Sequence, residues 1–386
     1  MFVFKHEYRR AKNAATLLHL LMKEDGISRA EMSRLTGLTK TTISTIIKKL
    51  QQANIVEESD QIATGNIGKS PYPLHINPDA VHTIGIHLGR KRVETLLMNA
   101  RMQVIIQNQG ENYQCWGPEN IMKSLFANVD GLFRIARDQK IAINALGIGI
   151  PGPLDLKKGI VKQPPKFNGW IDVPIRKMIE ERYEIPVWME NDASVGALAE
   201  KWLGAGRDIH NFIRLIINEG IGAGVVIEDK LYQGTYDFVG EIGHFLCFDQ
   251  GQFTYLEDVA GVDILLERLR QAGVLVQDLP ALNSLLAHNG KEKKLALSVI
   301  RELARWIASA IVNAIHMIGP QTVFISGKMA VLGEPFIQPI RQFVSHFLFG
   351  DQKVNICFSS IASDAVTLGA AIYATMRWLE NKSYNL

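Results

Sequence analysis

The chain has 386 residues, 47% apolar and 21% charged, which is material for more than one hydrophobic core. Its apolar runs all fall short of the roughly 20 residues that cross a bilayer, and its charged N-terminus lacks the apolar stretch of a secretory signal. The three cysteines, Cys115, Cys247 and Cys357, are too scattered for a disulfide framework, so a soluble cytoplasmic protein is expected.

The formal net charge of +3 is unevenly placed. Residues 1–76 hold 11 Lys/Arg against 7 Asp/Glu, and the remainder holds 31 against 32. The positive excess is confined to the N-terminal segment, which points to a polyanionic partner there. Residues 14–23 read as a helix with one apolar side. Ser28 followed by Glu31 is a capping-box pattern that opens a second helix, ended by Gly37. Thr39 caps a third helix, in which Ile43, Ile46, Ile47 and Leu50 recur at helical spacing and must face inward. The opposite face then carries Lys40, Thr41, Ser44, Thr45 and Lys48, side chains that reach phosphates and base edges. This is a helix-turn-helix pattern, to which Ser28, Arg29 and Thr39 at the helix starts add candidate DNA contacts. "NIVEES" and "YPLHIN" read as two strands around a wing with Lys69 near its tip. The alternative is a three-helix packing module with a solvated polar face.

"KSPYPLHINPDA" carries three prolines and marks a boundary near residue 76. Beyond it strands and helices alternate. "VHTIGIHLGRKRVETLLMN" reads as two β-segments around a turn, "NALGIGIPGPLD" as a buried strand ending in a Gly/Pro loop, and "PVWMENDASVGALAE" as a strand running into a helix. "NFIRLIINEGIGAGVVIEDKLYQG" is a glycine-centred hairpin and "TVFISGKM" a further strand. A hairpin near the start of each half predicts two similar α/β lobes with a ligand cleft between them. They are placed at 77–190, completed by a C-terminal helix over 365–386, and at 191–364.

These stretches resemble the ROK family (repressors, open reading frames and kinases), in particular its winged-helix, sugar-sensing repressors. The resemblance is carried in order by "LTGLTKTTIS", "GKSPYPLHINPDA", "GIPGPLD", "PPKFNGW", "PVWMENDASVGALAE", "GIGAGVV", "GEIGH" and "SDAVTLGAAIYA". It implies the two-lobed, actin-like or ribonuclease-H-like sugar-kinase fold behind a winged helix.

The resemblance also sets the chemistry to look for. Family kinases carry an Asp, glycines and a Thr in a first phosphate loop, where this chain has His87, Arg90 and Lys91. A second Gly-Thr-Gly loop is here Asn218-Glu219-Gly220, and Ser326 stands where a glycine pair is usual. A carboxylate repels a triphosphate and a side chain in place of glycine blocks close approach, so ATP-dependent phosphoryl transfer is disfavoured. Arg90 and Lys91 suit either a sugar phosphate or a solvated basic turn.

The sugar side reads as intact. Asn191 and Asp192 end a strand, and in the family this Asp takes a proton from the sugar hydroxyl. Without a phosphoryl donor it still accepts hydroxyl hydrogen bonds. Pro151, Gly152, Asn168, Glu241, His244 and Glu257 match further sugar-contacting positions. Family members follow the His with a CxCGxxGC cluster that holds zinc, but here only Cys247 follows His244, too few ligands for a tetrahedral site. No structural zinc and no cofactor are expected, and Phe245, Leu246, Phe248, Phe253 and Tyr255 are expected to hold the loop by packing. The reading is a sugar- or sugar-phosphate-responsive repressor that binds a palindromic operator as a homodimer or larger assembly. Sugar closing the cleft would re-angle its DNA-binding heads. The alternatives are a sugar kinase with a DNA-binding head and a ligand-free DNA-binding protein with a vestigial cleft.

Overall fold

A computed structural model describes residues 2–59, 72–113, 117–165, 167, 169–235, 237–249, 251–361 and 364–384. By contact the chain divides into two units, residues 1–190 with 370–386, and residues 191–369.

The first unit opens with helices α1 (Phe2–Lys23), α2 (Arg29–Thr36) and α3 (Lys40–Gln52), followed by strands β1 (Val56–Glu58) and β2 (Leu74–Ile76). Helix α1 starts well before residue 14, because the segment ahead of it has no Gly or Pro and continues the spacing with buried Ala11. Its Ala14, Leu17, Leu18 and Leu21 meet Met32 of α2 and Ile43, Ile46, Ile47 and Leu50 of α3 in one cluster. The two strands pair antiparallel, Val56 opposite Ile76, and Ile27 adds a bridge to Leu74. This is the winged-helix arrangement, with the wing tip at 60–71 outside the described residues. Arg101 donates through Nε to the Ile76 carbonyl at 2.6 Å, tying the strand pair to the sheet that follows.

That sheet is built from β3 (His82–Leu88), β4 (Arg92–Asn99), β5 (Val104–Asn112) and β6 (Ala145–Ile150). A small hairpin of β7 (Leu154–Asp155) and β8 (Ile160–Val161) follows, and β9 (Val187–Asn191) returns to the sheet. The order is β5-β4-β3-β6-β9, the first three antiparallel and β6 parallel to β3. Helices α4 (Pro118–Asp138) and α5 (Ile175–Tyr183) cover one face, their apolar stripes packed on Ile84, Ile86, Leu146 and Ile148.

The second unit begins with α6 (Asp192–Leu203) and then repeats the plan. Strands β10 (Phe212–Ile217), β11 (Ile221–Ile227) and β12 (Lys230–Leu231) form a meander, and an antiparallel hairpin, β13 (Leu246–Asp249) with β14 (Gln252–Tyr255), follows. Helices α7 (Glu257–Ala260), α8 (Val262–Gln271), α9 (Leu279–Ala287) and α10 (Lys291–Ile318) lead to β15 (Thr322–Ser326), α11 (Glu334–Phe347) and β16 (Asn355–Phe358). The sheet order β12-β11-β10-β15-β16 runs through three antiparallel strands and then two parallel ones, repeating the first sheet's antiparallel meander followed by a parallel strand. The duplicated α/β lobe expected from the two hairpin patterns is therefore present in both units. Helix α12 (Ala365–Tyr384) runs back into the first unit, where Thr375 bonds Thr83 of β3 at 2.9 Å and Leu379 completes the winged-helix core.

Candidate functional site

The N-terminal site is set by two caps. Ser28 Oγ accepts the Glu31 N–H at 3.3 Å, while the Glu31 carboxylate pairs forward with Arg34 at 3.2 Å. Thr39 Oγ1 accepts the Thr42 N–H at 3.2 Å and starts α3. With Ile43, Ile46, Ile47 and Leu50 buried, Lys40, Thr41, Ser44, Thr45 and Lys48 lie exposed on the opposite side. Thr45 spends its hydroxyl proton on the Thr41 carbonyl at 2.9 Å, leaving its oxygen and methyl outward. Arg29 differs from its neighbours. Both of its terminal nitrogens bond Glu58 of β1, and Gln51 bonds the same carboxylate at 3.3 Å. The guanidinium holds the Glu58 carboxyl below its ordinary range, so Arg29 ties the start of α2 to β1 at the surface. Lys69 lies outside the described residues.

The second site gathers on the second unit. Asn191 Oδ1 caps α6 through the Ala193 N–H at 2.9 Å. Asp192 is the first helical residue, half-buried at the positive end of α6, a favourable place for a carboxylate. Glu241 precedes, and His244 ends, a single helical turn, Ile242–His244. Gly240 (φ 87°) and Gly243 let this turn lie flat on β11. A Cβ at Gly240 would sit 1.7 Å from the Ala223 carbonyl oxygen, and one at Gly243 2.3 Å from that of Ile221. His244 Nδ1 lies 3.4 Å from Glu241, and Glu257 accepts the Ile221 N–H at 3.4 Å. Burial raises the Glu241 pKa; His244 opposes the rise, while the charges of Asp192 and Glu257 add to it. Three carboxylates and an imidazole thus converge, a set able to accept and donate hydrogen bonds to vicinal hydroxyls. Pro151 and Gly152 follow β6 in the first unit, and Asn168 lies outside the described residues.

Sequence reasoning missed the charge behind this set. Arg214, in the middle of β10, is almost fully buried beneath α6 beside Gly196. It faces Glu200 at 3.7 Å, donates to Ser359 at 3.3 Å and to the Ile361 carbonyl at 3.3 Å, and keeps one buried nitrogen without a hydrogen bond. Burial pushes its pKa down to about 10, with Glu200 and Asp192 opposing the fall. A lone Arg inside the apolar run "FIRLII" was the available signal.

The stretch after His244 is not held as expected. Phe245 and Cys247 pack on the second-unit core, but Leu246, Phe248, Phe253 and Tyr255 are 68%, 61%, 74% and 46% exposed. The reason is parity. Phe245 and fully buried Leu256 pin the base of the hairpin, with the Leu256 N–H on the Phe245 carbonyl at 3.0 Å, so every second residue inward from each must point out. Among the described residues no group of three or more His, Cys, Asp or Glu is arranged to hold a metal ion.

The stretches compared with phosphate loops are closed by local partners. His87 Nδ1 lies 3.2 Å from Glu94, to which Arg92 Nε also donates at 2.8 Å. In the second unit Glu219 pairs with Lys328, whose backbone N–H meets Asn218 Oδ1 at 2.8 Å. Ser326 spends its hydroxyl on the Leu215 carbonyl at 2.7 Å.

Comparisons with known proteins agree with this organisation. The ROK family profile matches residues 83–377 and the MarR family profile residues 11–62. The chain is 28% identical to the xylose repressor of Caldicellulosiruptor bescii, over 94% of this chain and 95% of that one. It is 30% identical to the glucokinase of Thermotoga maritima, over 58% of this chain and 77% of that one. A crystal structure of a ROK family transcriptional regulator, a homologue of the Escherichia coli MLC protein, superposes with a TM-score of 0.82 at 22% identity, covering 97% of each chain. The chain belongs to the ROK family, its sugar-kinase-like fold preceded by a MarR-like winged helix.

Proposed function

We propose that the protein is a sugar-responsive transcriptional repressor of carbohydrate-utilisation genes. What carries this reading is the presence, in one chain, of a winged helix with an outward polar recognition face and of the Asp192, Glu241, His244 and Glu257 cluster. In this reading α3 enters the major groove, with Lys40 and Lys48 on phosphates and Thr41, Ser44 and Thr45 near base edges. Ser28 and Thr39 order the helix starts, Lys69 reaches the backbone from the wing, and Arg29 acts through Glu58. A homodimer on a palindromic operator would place two such helices about 34–36 Å apart. The sugar's hydroxyls bond Asn191, Asp192, Glu241, His244 and Glu257, and Pro151, Gly152 and Asn168 are further candidate contacts through the family resemblance. The sugar acts by binding one DNA-affinity state better than the other. We place the protein in the cytoplasm, in keeping with the absence, among the described residues, of a helix long and apolar enough to cross a membrane.

We further infer that it is not a kinase, since Glu219 puts a carboxylate, and Asn218 a side chain, in the stretch that resembles the family's Gly-Thr-Gly phosphate loop. Asp192 and the likeness to a glucokinase favour the other reading. A thermal-shift screen of sugars and sugar phosphates, followed by operator binding with each hit, tests the proposal. A sugar should raise the melting temperature and change operator affinity, and Asp192→Ala should abolish both effects. Steady ATP-dependent phosphorylation of any hit would overturn the repressor-only reading.

A further inference from the structure

The β13–β14 hairpin inverts the usual alternation. Its side chains toward the protein are Cys247, Asp249 and Thr254, with Asp249 lying 3.6 Å from Arg268, and its outward row holds Leu246, Phe248, Phe253 and Tyr255. Register puts Leu246 opposite Tyr255 and Phe248 opposite Phe253, so the four form one continuous face. The Phe248 and Phe253 rings meet edge-on at 5.3 Å. Keeping four large apolar side chains in water works against the hydrophobic effect, and such a patch marks a surface that something covers.

What covers it follows from where the face leads. Tyr255 packs against the His244 ring at 5.1 Å, and His244 faces Glu241 at 3.4 Å, so the apolar face runs without a break into the carboxylate cluster. Neighbouring strands lie about 4.8 Å apart and alternate side chains about 6.8 Å apart, dimensions that suit one or two pyranose rings. Pyranoses are amphipathic, with hydroxyls around the rim and C–H bonds over the faces, and those C–H bonds suit the negative face of an aromatic ring. The patch exposes on the order of 500 Å², below the roughly 800 Å² per partner of a standard protein interface.

We propose that this face is a stacking platform for a second sugar ring, making the effector a disaccharide or longer glycan whose terminal unit occupies the carboxylate cluster. The proposal rests on the sugar-sensing reading above. The terminal ring is held by hydroxyl hydrogen bonds and the next ring by Tyr255 and Phe253, with Phe248 and Leu246 extending the platform. A single sugar then leaves most of the platform bare and binds more weakly.

Isothermal titration calorimetry with xylose, xylobiose and xylotriose, and with glucose, cellobiose and cellotriose, tests this on the full chain. In at least one series the Kd should fall about three- to tenfold from one unit to two, the contribution of one aromatic contact. The double variant Phe248→Ser/Phe253→Ser should erase that step while leaving monosaccharide affinity within about twofold, and Leu246→Ser should weaken it independently. A flat series with the single sugar still bound overturns the platform alone. A step that persists in the double variant overturns it equally. If no sugar of any length binds, the sugar-sensing reading falls and the platform with it. A lower sedimenting mass for the sugar-free double variant than for the parent assigns the face to a second copy of the chain and overturns the proposal.

Discussion

Helix α3 and the β13–β14 hairpin are both two-faced, yet they turn opposite faces to water. In α3 the apolar stripe meets the stripes of α1 and α2, so burial fixes its orientation and leaves lysines and hydroxyls outside. In the hairpin orientation is fixed from the ends, because Phe245 and Leu256 face the core and the strand period of two does the rest. A periodic pattern defines two faces, and what the flanking residues are anchored to decides which one is covered. Where the covered face is the polar one, the apolar face outside calls for a ligand.

The largest test of that contrast is stability. Ile47→Ala should cost about 2–5 kcal/mol, because it empties a site at the centre of the winged-helix core. Phe253→Ser should stay within about 0.5 kcal/mol, as a surface change does. Urea unfolding of both variants decides it, and equal losses would mean that the hairpin face is covered in the folded chain. The next effect is on DNA. Lys40→Ala and Lys48→Ala should each weaken operator binding and lower the slope of log K against log salt by about 1. Arg29→Ala should leave the slope unchanged, since Glu58 already holds that charge. Unchanged slopes for both lysines would remove α3 from the DNA.

The same contrast explains how much could be read in advance. The caps at Ser28 and Thr39, the stripe Ile43–Ile46–Ile47–Leu50 and the two strand pairs that open the sheets were legible, because local chemistry and burial agree there. The closeness of Glu241 to His244, and the influence of Asp192 and Glu257 on its charge, fall on motifs that the family resemblance placed in order. The outward turn of Phe248 and Phe253 was not, because aromatic residues beside a core pattern read as packing until the parity set by Phe245 and Leu256 is known. The pairing of Arg29 with Glu58 was not legible, because the two lie 29 residues apart along the chain. Arg214 was overlooked for a similar reason: Glu200, Ser359 and the Ile361 carbonyl come from two distant segments, and spacing along the chain does not disclose such a network.

A smaller effect separates the cap from the stripe. Thr39→Ala removes one side-chain acceptor at the start of α3 and should cost about 1 kcal/mol, well below Ile47→Ala. Thermal unfolding measures it, and Asp at the same position should restore most of the loss. A loss as large as that of Ile47→Ala would mean that the helix start, rather than its buried stripe, holds the domain together.

The smallest effect lies at the foot of the hairpin. Glu241 has a folded-state pKa above its ordinary value of 4.5, raised by burial and by Asp192 and Glu257 against the pull of His244. Its contribution to stability is therefore complete below the unfolded value and is lost as pH rises through the folded one. Glu241→Gln cannot ionise and should not suffer that loss. Relative to the variant, the parent should lose a small amount of stability as pH rises above about 4.5, with no pH-dependent difference below it. Melting temperatures of both proteins across that range measure it. A difference that does not change with pH would mean that Glu241 is neither buried nor crowded by the charges of Asp192 and Glu257. The hairpin's apolar face would then have no polar site to adjoin, and its contrast with α3 would need another explanation.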